Sequence, residues 1–202
     1  MLKRVIFDLD NTLMPWKEEY KEAAIKTIKE CNLNIDYESF DKLCDLYEEE
    51  YKAYKTSNMA NLLSKITNTK IDEKVIKVWL KYLGDMSEKD EKLIDLLEYL
   101  SQKYELVILT NWFISSQIKR LEKAQIKDYF IDIIGGDEFI KPTKESFQKA
   151  MGNHKAIECL MVGDSYKTDI KGAKDIGIKT IEITDKKSKD TIKEIYELKE
   201  LL

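Results

Sequence analysis

The most regular pattern along the chain is a set of short apolar runs, each closed by polar residues or glycine. Val5-Ile6-Phe7 runs into Asp8-Leu9-Asp10, with Asn11 and Thr12 as turn residues. Leu106-Val107-Ile108-Leu109 runs into Thr110-Asn111, and Cys159-Leu160-Met161-Val162 into Gly163-Asp164. Segments 129–134 and 178–183 have the same character, and Gly135-Gly136 closes the first of them. Such runs suit strands buried on both faces of a parallel sheet. Helical patterns separate them. Ser87 with Asp90 resembles a capping box for a helix holding Leu93, Leu96, Leu97 and Leu100. Further helices are expected over 115–125, after a Thr143 cap, and over 168–176 with Gly177 as a stop. Ser188 is expected to cap a last helix holding Ile192, Ile195 and Leu198. Strands alternating with helices predict an α/β fold with a doubly wound parallel sheet of five strands.

One stretch departs from that alternation. After Pro15 the apolar period turns helical and stays so for about 70 residues. Tyr20, Ala23, Ala24, Ile28 and Cys31 mark a first helix. Asp36 can cap a second with Phe40, Leu43, Tyr47, Tyr51 and Tyr54. A third starts near Ser57 or Asn58, and Asp72 can cap a fourth with Val75, Trp79 and Leu83. The expectation is an all-α bundle over residues 15–86 inserted into an α/β core formed by residues 1–14 and 87–202.

Composition narrows the class. A chain of 202 residues allows one domain, or one core with an insertion. The net charge is −4 with both signs interspersed, so no stretch reads as a nucleic-acid or membrane patch. Cys31, Cys44 and Cys159 are scattered with no Cys-x-x-Cys spacing, which fits a reducing compartment. The N-terminus enters the first strand without a signal-peptide pattern, and no apolar run approaches the roughly 18 residues of a membrane helix. A cytoplasmic protein, monomer or homodimer, is expected. No Gly-rich nucleotide-binding fingerprint occurs.

Carboxylates closing a buried strand call for compensation, because a desolvated carboxylate is costly. In a parallel sheet all carboxyl ends share one edge. Asp8, Asp10, Thr110, Asn111, Asp164 and Asp169 can therefore meet there, with Lys141 in a loop of the same part of the chain. Taken singly, each has a plain structural reading: Thr110-Asn111 and Gly163-Asp164 as turns, Lys141 as a surface lysine.

Together and in this order they resemble the four motifs of the haloacid dehalogenase-like hydrolase superfamily. Asp8-Leu9-Asp10-Asn11-Thr12-Leu13 resembles the first, Leu109-Thr110-Asn111 the second and Lys141-Pro142 the third. Gly163-Asp164-Ser165-Tyr166-Lys167-Thr168-Asp169-Ile170 resembles the fourth. The resemblance implies a Rossmann-like core with the Asp8 strand central, beside the Asp164 strand, and places residues 15–86 where many members carry a helical cap. It implies Asp8 as nucleophile and Asp10 as general acid and base. It implies Mg²⁺ held by Asp8, Asp10 (through its carbonyl) and Asp164 with support from Asp169, and phosphoryl oxygens held by Thr110, Asn111 (through its N–H) and Lys141. The substrate expected is a small phosphorylated metabolite cleaved as a phosphomonoester; a sugar phosphomutase and a non-catalytic phosphate-binding regulatory protein are the alternatives. Asp10 argues against carbon–halogen cleavage, because a departing halide needs no proton. Gly135-Gly136-Asp137-Glu138-Phe139 spells a diguanylate-cyclase signature but leads straight into Lys141-Pro142. Trp112 is expected beside the phosphate loop, narrowing the pocket, stacking on a substrate ring or packing against the bundle. Lys55, Asn58 and Asn61 are candidates for specificity on the bundle's inner face.

Overall fold

The computed structural model of the chain describes residues 1–51 and 53–202. Its centre is β1 (Arg4–Phe7), whose Val5, Ile6 and Phe7 have no solvent exposure. Side chains alternate across a strand, so the two faces of β1 feed two cores. Val5 and Phe7 pack with Leu93, Leu96, Leu97 and Leu100 of α5 (Glu91–Ser101). Ile6 packs with Phe147 and Ala150 of α7 (Lys144–Met151) and with Ala173 of α8 (Lys171–Asp175). Burying one such side chain stabilises the fold by roughly 1.5–3 kcal/mol.

Around β1 the sheet is wholly parallel. β2 (Glu105–Leu109) and β4 (Cys159–Gly163) flank it, with Phe7 level with Ile108 and Val162. The order is β3-β2-β1-β4-β5-β6, with β3 at Phe130–Ile134, β5 at Lys179–Ile183 and β6 at Thr191–Ile192. The central β1–β4 pairing agrees with expectation.

Between β1 and α5 run α1 (Lys17–Glu30), α2 (Glu38–Glu50), α3 (Thr56–Thr67) and α4 (Glu73–Gly84). Asp72 caps α4 by accepting the Lys74 N–H at 2.8 Å, and Asp36 accepts the Ser39 N–H at 3.0 Å at the start of α2. These helices close over Phe40, Leu43, Tyr47, Leu63 and Trp79, a core that also takes in Trp112 and Phe113 from beyond β2. The helical unit is thus packed directly onto the carboxyl edge of the sheet.

Two local expectations are corrected. Ser87 caps nothing: Asp90 alone accepts the Lys92 and Leu93 N–H groups at 2.9 and 3.3 Å, and the buried Ser87 hydroxyl donates to Glu19 at 3.0 Å. Ser188 starts no helix. Thr191 and Ile192 instead add a sixth strand beside β5, and Ser188 closes a turn with Thr191. The β-branched pair fits a sheet edge better than a helix start. The last helix, α9, is confined to Leu198–Leu201.

Candidate active site

The edge where β1, β2 and β4 end carries the expected residues. Beyond Phe7 the chain turns tightly: the Leu9 carbonyl accepts from the Leu13 and Met14 N–H groups at 2.9 and 3.0 Å, and Asn11 takes a left-handed φ of 59°. Asn is among the few residues that do so at low cost. Asp8 and Asp10 leave this turn toward different partners.

Asp8 meets Lys141. The Lys141 ammonium donates to Asp8 Oδ1 at 2.5 Å and lies 2.7 Å from Asp169 Oδ1, with all three side chains nearly out of solvent. Asn111 fixes the lysine's backbone from both sides: its side-chain N–H donates to the Lys141 carbonyl at 3.0 Å, and its Oδ1 accepts the Lys141 N–H at 2.7 Å. Asp169 is turned inward by a π-helical turn over Tyr166–Ile170, and its Oδ2 accepts the Ser165 N–H at 3.1 Å. Such turns recur at functional sites. Gly163 makes room for it: a Cβ there would lie 2.7 Å from Asp169 Cβ. Asp164 completes the group, since one carboxylate oxygen each from Asp8, Asp164 and Asp169 lie within 4.8 Å of one another.

Three carboxylates share one ammonium here. Burial pushes the Asp8 carboxyl up, against the pull of Lys141. Burial and the Asp169 charge push Asp164 up to about 6. For Lys141, burial works downward, but Asp169 and Asp8 outweigh it and hold the ammonium above its ordinary range. The site carries more negative charge than it neutralises. All its donors are hard oxygens, a set that fits Mg²⁺.

Asp10 faces the opposite way. Its Oδ1 accepts from Arg120 Nη1 at 2.5 Å, and its Oδ2 from Gln117 Nε2 at 2.8 Å and Tyr20 OH at 3.2 Å. Gln117 also donates to Thr110 Oγ1 at 3.1 Å. A cleft of about 390 Å³ lies over both groups, floored by Asp8, Asp10, Thr110 and Lys141.

The helical unit contributes Tyr20, Cys44, Asp45 and Tyr54 to that cleft, with Trp16 just before α1. Lys55, Asn58 and Asn61 do not line it. Trp112 both lines the cleft and packs with the helices: its ring lies 4.9 Å from Tyr20, 5.3 Å from Tyr54 and 5.4 Å from Trp79. The Gly135-Gly136 loop is structural. The Gly136 carbonyl accepts the Tyr54 N–H at 2.8 Å, and Asp137 accepts the Ile114 N–H at 2.6 Å.

Sequence reasoning missed Gln117 and Arg120. The signal was present. On α6 (Ile114–Lys123) they share the i, i+3, i+4, i+7 stripe with Leu121 and Ala124, and that stripe is the buried one. A glutamine and an arginine on a core-facing stripe call for buried partners.

The structure thus sets a carboxylate cluster and a buried lysine at the carboxyl edge of a parallel sheet, where ligands bind in α/β proteins. The family described as haloacid dehalogenase-like hydrolase matches residues 5–183, and the chain belongs to it. The ribulose-1,5-bisphosphate 5-phosphatase of Halopiger xanaduensis is 27% identical, over 90% of this chain and 84% of that protein. The glyceraldehyde 3-phosphate phosphatase of Pyrococcus abyssi is 32% identical, over 90% of this chain and 81% of its own. Among solved structures, the putative HAD-hydrolase YfnB from Bacillus subtilis, bound to magnesium, superposes with a TM-score of 0.81 at 24% identity, covering 100% of this chain and 98% of that one. The chain is an enzyme of this family, on the branch whose curated relatives are named phosphatases.

Proposed function

We propose that the protein is a Mg²⁺-dependent hydrolase of small phosphomonoesters that works through a phosphoryl group carried on Asp8, with residues 15–86 as a cap over a core of residues 1–14 and 87–202. The observation that carries this reading is the pair of aspartates on one strand end. Asp8 sits among Lys141, Asp164 and Asp169, and Asp10 is held by separate donors on the other side of the same cleft.

The Asp8 carboxylate attacks phosphorus, and the bond from phosphorus to the ester oxygen breaks. Asp10, entering the cycle as the protonated acid, gives its proton to that departing oxygen and is left as the carboxylate. It then takes one from the water that attacks the phospho-aspartyl phosphorus and frees phosphate. An ammonium has three N–H donors, and two of those on Lys141 already serve Asp8 and Asp169. The third is available to a phosphoryl oxygen, beside Thr110 and the Asn111 N–H. Asp8, Asp164 and the Asp10 carbonyl would hold Mg²⁺, with Asp169 in support. When bound, the ion neutralises the converging carboxylates and the phosphoryl charge. Phosphoryl transfer depends mostly on such positioning and charge stabilisation.

The named relatives act on small sugar or triose phosphates, which supports a substrate of that size. The three free cysteines support a reducing, cytoplasmic setting, and among the described residues no helix is long and apolar enough to cross a membrane. Phosphate release from a panel of phosphorylated metabolites, with and without Mg²⁺ and beside Asp8→Asn, tests the reading. Release that needs the metal and vanishes in the variant is expected. Release that survives Asp8→Asn or chelation overturns it.

A further inference from the structure

Arg120 has no solvent exposure, and every N–H of its guanidinium is engaged. Nη1 donates to Asp10 Oδ1 at 2.5 Å and to Gln117 Oε1 at 2.8 Å. Nε and Nη2 donate to Glu19 Oε2 at 2.9 and 2.6 Å. Nη2 also reaches the Pro15 carbonyl at 2.9 Å, and Nε the Ser87 hydroxyl at 3.2 Å. Pro15 lies between the β1 turn and α1, and Ser87 between α4 and α5. These are the two places where the chain crosses between the sheet and the helical unit. One side chain therefore grips both crossings, the first turn of α1 and Asp10.

A plain structural ion pair needs one carboxylate, and Glu19 already supplies it. The second carboxylate is Asp10, whose side chain is one-fifth exposed at the cleft. The rigid planar fork of arginine suits it to set several acceptors in one geometry, which a lysine point charge does not do. Burial would lower the arginine's pKa, but the Asp10 and Glu19 charges and the hydrogen bond to Asp10 outweigh it and keep the guanidinium charged.

We propose that Arg120 is a positioning residue for Asp10. It sets where the Asp10 carboxyl stands relative to the ester oxygen, and it makes that setting depend on both chain crossings being seated. The proposal rests on the phosphatase reading above. When the bond from phosphorus to the ester oxygen breaks, the electron pair stays on that oxygen and the Asp10 proton meets it. An alkyl ester needs that proton, because an alkoxide is a poor leaving group. A p-nitrophenyl ester does not, because its phenolate leaves unaided. In kcat/KM, which ends at phosphoryl transfer and does not contain the later hydrolysis of the phospho-aspartate, a misplaced Asp10 therefore slows alkyl esters selectively, whereas a loss of folded protein slows all esters alike.

The test is kcat/KM along a series from alkyl phosphates to p-nitrophenyl phosphate, at fixed Mg²⁺. The variants are Arg120→Lys and the paired change Arg120→Met with Glu19→Met. The paired change leaves no buried Glu19 charge behind, and replacing a buried ion pair by apolar side chains is often neutral for stability. In both, kcat/KM on alkyl esters is expected to fall about 100-fold or more, within the range general acid catalysis supplies. On p-nitrophenyl phosphate it is expected to fall less than about 5-fold. Ser87→Ala, which loosens one crossing without touching Asp10, should show the same selective loss on a smaller scale. Equal falls across the series in Arg120→Lys and the paired variant overturn the proposal. The phosphatase reading fails separately, if the unaltered protein releases no phosphate from any ester or Asp8→Asn retains activity.

Discussion

Asp8 and Asp10 are the same residue two positions apart on one strand end, yet they stand in contrasting surroundings. Asp8 faces a lysine among further carboxylates that converge within 4.8 Å, a group with spare negative charge. Asp10 faces an arginine, a glutamine and a tyrosine hydroxyl, a group rich in donors. The first arrangement suits a nucleophile beside a cation and a phosphoryl group. The second holds a single carboxyl in one orientation. Partners, not residue type, separate the two proposed roles.

The largest effect expected is at the proposed nucleophile: Asp8→Asn should lower phosphate release by at least about 10⁴-fold. Asp10→Asn should lower it by about 10²–10⁴-fold, and most on esters with poor leaving groups. Values of kcat/KM on one alkyl and one aryl ester measure both.

Lys141→Met probes the charge surplus around Asp8. It strands two buried carboxylates, and the loss of stability should be about 3–5 kcal/mol, read from chemical denaturation. Adding Mg²⁺ should recover much of that loss, because a divalent cation supplies the missing charge. The paired Arg120→Met and Glu19→Met change should gain nothing extra from the metal over the unaltered protein. Equal metal responses would erase the distinction between the two groups.

Gly163→Ala sets a methyl 2.7 Å from Asp169 Cβ and should cost about 1–3 kcal/mol, again by denaturation. The smallest effect lies away from the site. Burial would raise the Asp90 carboxyl, but bonds from Tyr196 and the Leu93 and Lys92 N–H groups outweigh it and hold its pKa below the ordinary range. Its contribution is therefore fully present above about pH 4, and is lost as pH falls through the lowered folded-state value. Asp90→Ala should cost about 1 kcal/mol at pH 7. The gap in Tm between the two proteins should narrow as pH falls below about 4.

What was legible in the sequence was local. Val5-Ile6-Phe7 followed by Asp8 announces a buried strand with a charged end, and parallel topology then brings Thr110, Lys141, Asp164 and Asp169 to the same edge. Asp72 and Thr143 act as the caps their positions suggest. What was hidden depended on partners distant along the chain. The stripe Arg120 shares with Leu121 and Ala124 marks it as core-facing, but that its partners are Glu19, Ser87 and Asp10 cannot be read from the helix alone. Ser87 looks like a helix cap because the spacing to Asp90 fits one, and its actual partner is 68 residues away. Ile192, Ile195 and Leu198 have helical spacing, but the unpaired edge of β5 takes Thr191 and Ile192 as a strand.

The most direct test of the account is to trap the phosphoryl group. Protein mixed with a small phosphate ester and Mg²⁺, quenched in acid and digested, should carry a phosphate adduct on the peptide containing Asp8. The adduct should be absent from Asp8→Asn and, with p-nitrophenyl phosphate as donor, enriched in Asp10→Asn, where transfer needs no proton but hydrolysis is slowed. Turnover with no adduct, or with the adduct on another residue, would contradict the assignment of Asp8 as nucleophile.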